Sequence, residues 1–134
     1  MVENTVVMEQ LTDAMIDAGA ELTTRLDQTG VPLTAAMWMF DPDVNEWRLY
    51  LASPDAATHG PIAVYTRIQQ AIADLKGKAA AVPLSTIRLL DGEADLVKLL
   101  RRVVRTGTGV SRIRYTKNAI NGHYIDDALI YRVA

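Results

Sequence analysis

Cysteine is absent from the 134 residues, which excludes disulfides, thiolate metal ligands and a cysteine nucleophile together. Histidine occurs only at His59 and His123, so an imidazole-based metal centre has few ligands to draw on. No stretch approaches the ~18 consecutive apolar residues that suggest a membrane span. Met1-Val2-Glu3-Asn4 has neither the basic nor the apolar part of a secretory leader, and a cytoplasmic protein is expected. The GxSxG, HExxH, GxGxxG and P-loop signatures are missing too, which lowers the expectation of an enzyme. Neither metal nor cofactor is expected.

An apolar fraction of 49% against 22% charged residues places the chain among folded globular proteins rather than disordered ones. Its length suits one domain, residues 1–134. The charge is unevenly spread. Lys98, Arg101, Arg102, Arg105, Arg112, Arg114 and Lys117 follow one another without an intervening Asp or Glu, although acidic residues outnumber basic ones by 16 to 14 overall.

Apolar periodicity lays out the elements. Met8, Leu11, Met15, Ala18, Leu22 and Leu26 recur at three and four and predict a helix from about Val6 to Gln28. On its opposite face Glu9, Asp13, Asp17 and Glu21 form an acidic ladder. Residues 35–53 alternate instead, reading as a hairpin turned by Asp41-Pro42-Asp43-Val44-Asn45. Gly60-Pro61 opens a second helix, with Ile62, Tyr65, Ile68, Ile72 and Leu75 inward and Gly77 closing it. A strand over Leu84–Leu90 precedes a third helix from about Glu93 to Arg105, with Leu96, Leu99, Leu100 and Val103 inward and Gly107 as its cap. Two alternating strands flank Asn121-Gly122, a strong signal for a two-residue hairpin turn. That turn sets Ile120 opposite His123, Ala119 opposite Tyr124, Lys117 opposite Asp126 and Ile113 opposite Ile130. The order αββαβαββ implies an α+β domain with a mostly antiparallel five-stranded sheet and helices mainly on one face.

The polarity of charge supplies the functional expectations. Lys98, Arg101, Arg102, Arg105, Arg112 and Arg114 are candidates for binding an anion or a partner, and Glu9, Asp13, Asp17 and Glu21 are a candidate acidic partner face. Complementary faces on one small domain suit a binding or regulatory module acting through protein contacts, as a homo-oligomer or with another protein. The alternative is a nucleic-acid or phosphate-ligand binder using residues 98–117. Within that segment Thr106-Gly107-Thr108-Gly109-Val110-Ser111 reads either as an anion-binding loop or as a helix cap leading into a strand. A second alternative is an enzyme with a site near His123, Asp126 and Asp127, although in a strand Asp126 points away from the other two. His59 reads as a loop residue.

Trp38, Phe40, Trp47 and Tyr50 make the first hairpin aromatic, either as core or as the lining of a small-molecule pocket. The run from Ala35 to Ser53 resembles the leading β-hairpin of GAF-type sensory domains, which bind small ligands. The resemblance covers those residues alone, carries no binding motif, and the order of the remaining elements differs from that family.

Overall fold

A computed structural model describes residues 10–134. Val6, Met8 and Glu9, which the sequence assigns to the first helix, lie outside the described residues. Helix α1 (Asp13–Gln28) is capped by Thr12, whose Oγ1 accepts the Met15 N–H at 3.1 Å and so satisfies one of the amides left over at a helix start. Its buried side is Ala18, Gly19, Leu22, Thr23 and Leu26, with Leu11 and Met15 packed beside it.

Strands β1 (Ala35–Asp41) and β2 (Glu46–Ser53) form the expected hairpin, with Phe40 opposite Trp47. A short helix α2 (Asp55–Thr58), helix α3 (Pro61–Asp74) and a 3-10 turn at Leu84–Thr86 carry the chain to β3 (Ile87–Asp91), which runs parallel to β2. Helix α4 (Asp95–Leu100) then leads to β4 (Ile113–Ile120) and β5 (His123–Val133), and β5 returns to pair with β1. The sheet order is β3-β2-β1-β5-β4. All neighbouring pairs except β2–β3 are antiparallel, as expected for the α+β domain. The two long helices cover one face, where Trp38, Phe40, Trp47, Leu49, Leu51, Ile87, Leu129 and Tyr131 join α1 and α3 in one core. The short α4 covers the other with Val97 and Leu100 against Met37, Ile125, Ile130 and Val133.

Three local expectations are corrected. Ile62 is 82% exposed, because it lies about 120° round α3 from Ile68, while Val64, Ile68 and Ala71 face inward. The third helix is shorter than the expected Glu93–Arg105, and Val97, not Val103, is buried in it. The β-branched pair Val103-Val104 disfavours further helix, and the chain turns so that the Thr106 N–H can donate to the Val133 carbonyl at 3.0 Å. The final hairpin keeps its register, with Ile113 opposite Ile130, Ala119 opposite Tyr124 and Ile120 opposite His123. Lys117 falls opposite Asp126, between the Thr116–Asp127 and Asn118–Ile125 pairs, but it adopts φ 46° and the two make no ion pair among the described residues. The cross-strand ion pair joins Arg114 to Asp127 instead.

A bulge in β5 positions the most elaborate polar contacts. Ala36 pairs with Arg132 but Met37 with Ile130, so Tyr131 is the extra residue, and Tyr131 and Arg132 both reach toward α1. The Tyr131 hydroxyl donates to the Ile16 carbonyl at 2.5 Å and accepts from Trp38 Nε1 at 3.0 Å. Arg132 makes a bidentate pair with Asp27 at 2.9 and 2.7 Å and also donates to the Leu33 and Gly109 carbonyls.

Candidate functional site

Burial of Val97 and Leu100 fixes which side of α4 is free. Asp95, Lys98, Leu99 and Arg102 follow at spacings of three, one and three, which places them along one side of the helix and the turn that continues it. That side looks across to the β4–β5 turn, where Asn121 and Gly122 take φ 48° and 83°, as a type I′ turn requires. Between them lies an open depression of about 370 Å³, lined from α4 by these four residues and Leu96, and from the turn by Asn121 and His123. Lys98 and Arg102 are exposed and form no ion pair among the described residues.

The other candidate cations are placed differently. Arg101 makes a bidentate pair with Glu93 at 3.0 and 3.2 Å and donates from Nε to the Ala134 carbonyl at 2.7 Å. Hydrogen bonding to that guanidinium lowers the Glu93 pKa. Arg112 meets Asp17 at 2.9 Å. Arg114 is bidentate to Asp127 and stacks 5.4 Å from the centre of the Trp47 ring; its pKa is raised, mainly by the hydrogen bonds to Asp127. Arg105 is exposed and does not line the depression. Because Asp17 and Trp47 belong to the α1–α3 side of the sheet and Val97 and Leu100 to the other, the six basic residues do not form one surface. Asp13 and Glu21 are exposed without an ion-pair partner among the described residues; Glu9 lies outside them.

The Thr106–Ser111 loop is laced to β5. Thr106 and Ser111 donate their N–H groups to the Val133 and Tyr131 carbonyls, and Thr106 Oγ1 accepts the Val133 N–H at 2.9 Å. His123 and Asp127 are not brought together, since His123 lines the depression while Asp127 holds Arg114 on the opposite side. His59 borders a smaller hollow of about 230 Å³ with Asp55 and Arg67, and the Arg67 guanidinium donates to the Thr29 carbonyl. Trp38, Phe40 and Trp47 are core, with the Phe40 and Trp47 rings tilted and 5.5 Å apart.

Sequence reasoning missed Asp95, Leu96, Leu99 and Asn121 as neighbours of Lys98 and Arg102. The helical spacing of Asp95, Leu99 and Arg102 was a readable signal, whereas the approach of the turn to α4 was not. Among the described residues no group of three or more His, Asp or Glu side chains is placed to hold a metal, and no helix is long and apolar enough to cross a membrane. No protein-family model, curated protein or solved structure gives a significant match to the chain.

Proposed function

We propose that this protein is a small binding module for a ligand carrying a compact anionic group, a phosphate being the simplest, held between α4 and the β4–β5 turn. One observation carries the reading: among the described residues Lys98 and Arg102 form no ion pair, and they line the same depression as Asn121 and His123. Two cations on one side of a concave site, with an amide and an imidazole across from them, supply charge and hydrogen-bond donors at once. Self-association through opposite charges has less to draw on, because Arg101, Arg112 and Arg114 already hold Glu93, Asp17 and Asp127.

Isothermal titration with inorganic pyrophosphate at low salt tests this. Lys98→Glu with Arg102→Glu should weaken binding by roughly a hundredfold, about 3 kcal/mol, with no loss of thermal stability. Arg112→Glu with Arg114→Glu should leave affinity within roughly twofold. Absence of binding by the unaltered protein, or equal losses in both double variants, overturns the reading.

A further inference from the structure

The tip of the β4–β5 hairpin carries a chemically reactive pair. The main-chain nitrogen after an asparagine can attack the side-chain amide carbon, and a following glycine, with no Cβ, leaves the approach open. Among the described residues asparagine occurs as Asn45, Asn118 and Asn121, and the three are placed differently. Asn45 precedes Glu46, the first residue of β2, whose side chain crowds the attack. The Ala119 N–H donates to Asn118 Oδ1 at 3.1 Å, so the nitrogen that would attack is engaged. At Asn121 neither obstacle is present. The position a Cβ would take at Gly122 has no heavy atom within 4 Å beyond its chain neighbours, and Asn121 to Tyr124 are all exposed. The closing hydrogen bond of such a turn joins the flanking residues, here Ile120 and His123, and leaves the Gly122 N–H out of it. Cyclisation requires the peptide between Asn121 and Gly122 to swing out of its turn conformation, which the space around a glycine permits.

We infer that Asn121 is a site of spontaneous deamidation and, resting on the proposed function, that the modification weakens anion binding in the depression. Hydroxide removes the Gly122 amide proton, the nitrogen bonds to Asn121 Cγ, and the Cγ–Nδ2 bond breaks to release ammonia, which takes its proton from water. The product is a five-membered succinimide. Water then opens the ring at either carbonyl, so that water is consumed, ammonia is released, and no oxidant, metal or other co-reactant takes part. Opening at Cγ restores the main chain with aspartate at 121. Opening at the other carbonyl leaves isoaspartate, with the main chain routed through Cβ and Cγ. Aspartate keeps the turn, since Asp-Gly suits the same geometry, but sets a carboxylate in the depression that Lys98 and Arg102 line. A bound anion must then compete with it for both cations. Isoaspartate adds a methylene to a two-residue loop and so disturbs the register the loop sets.

The test incubates the folded protein at mildly alkaline pH, separates charge variants by ion exchange and locates the modification by peptide mapping. Acidic species are expected to accumulate with aspartate and isoaspartate at position 121, at least roughly tenfold faster than at Asn45 or Asn118. Asn121→Gly is the control, since Gly-Gly suits the same turn and has no amide to lose; it should not accumulate them. Asn121→Asp reproduces one product without altering the main chain and should bind pyrophosphate at least roughly tenfold more weakly than the unaltered protein. Absence of acidic species, their mapping to Asn45 or Asn118, or equal accumulation by Asn121→Gly overturns the assignment of the modification site and leaves the proposed function standing. Binding of pyrophosphate by Asn121→Asp as tightly as by the unaltered protein overturns the effect on the depression. Deamidation at Asn121 in a protein that binds no pyrophosphate before or after incubation overturns the proposed function and leaves the modification site standing.

Discussion

Arg132 is the residue most exposed to loss of a partner. Its side chain is 3% accessible while that of Asp27 is 37% accessible, so the two halves of the pair are not equivalent. Asp27→Ala would strand a buried guanidinium, at a cost of about 3 kcal/mol. Arg132→Met would leave a carboxylate free to turn to water and should cost less. Urea unfolding of the two variants checks the order, and a larger loss for Arg132→Met would contradict it. Gly19 stands under a second constraint, since a Cβ there would lie 2.4 Å from the Tyr131 hydroxyl and 2.7 Å from Trp38 Nε1. Gly19→Ala should therefore destabilise by about 1–3 kcal/mol through overpacking. Burial pushes the Tyr131 phenol pKa up, so the folded chain holds that proton more tightly than the unfolded chain does. This contribution to stability is present in full below the ordinary phenol pKa of about 10 and is lost as pH rises beyond it. Tyr131→Phe should unfold more readily at neutral pH, because the Ile16 carbonyl and Trp38 Nε1 lose their shared partner, yet show a shallower fall in stability at alkaline pH. A fall as steep as in the unaltered protein would count against the assignment.

At the scale of elements, the β4–β5 hairpin was the most legible part of the chain, because Asn121-Gly122 specifies a turn geometry and the turn specifies the register. Gly122→Val should destabilise by about 1–2 kcal/mol or more, since φ 83° is costly for any L-residue and worse for a β-branched one; thermal melting would show it. The conformation of Lys117 escaped the same reasoning because nothing in a lysine side chain signals a φ of 46°, which L-residues other than Asn and Asp rarely adopt. Helix α4 was legible in its spacing and not in its length. Edge protection was legible only in part: the Tyr65 hydroxyl accepts the Leu89 N–H at 3.1 Å on β3, a contact between distant segments. On β4, at the opposite edge, Arg114 and Lys117 carry charge within the strand and Lys117 adopts φ 46°, and charge with local distortion hinders edge pairing.

For the whole molecule, the separation of charge along the chain does not become a separation of charge in space. Asp17 of the acidic ladder meets Arg112 of the basic run, with both side chains more than half exposed; such surface pairs contribute between nothing and about 1 kcal/mol. Among the described residues of the two charge sets, Asp13 and Glu21 of one copy are left to meet Lys98, Arg102 or Arg105 of another in a homo-oligomer held by charge. That contact would weaken with salt and compete with an anion in the depression. Sedimentation velocity at low salt, with and without pyrophosphate, checks it: dissociation on adding the anion and on Asp13→Lys with Glu21→Lys is the expected result for such an assembly. Local pattern was enough to define the helices on α1 and α3, the two hairpins, the register of the second and the α+β class, because periodicity and turn chemistry act over a few neighbouring residues. Which cations are consumed by carboxylates and which stay open was decided by long-range packing. The bulge at Tyr131, the pairing of Arg132 with Asp27, and the approach of the Asn121-Gly122 turn to Lys98 and Arg102 join segments far apart in the chain, and no local pattern encodes a distance between segments.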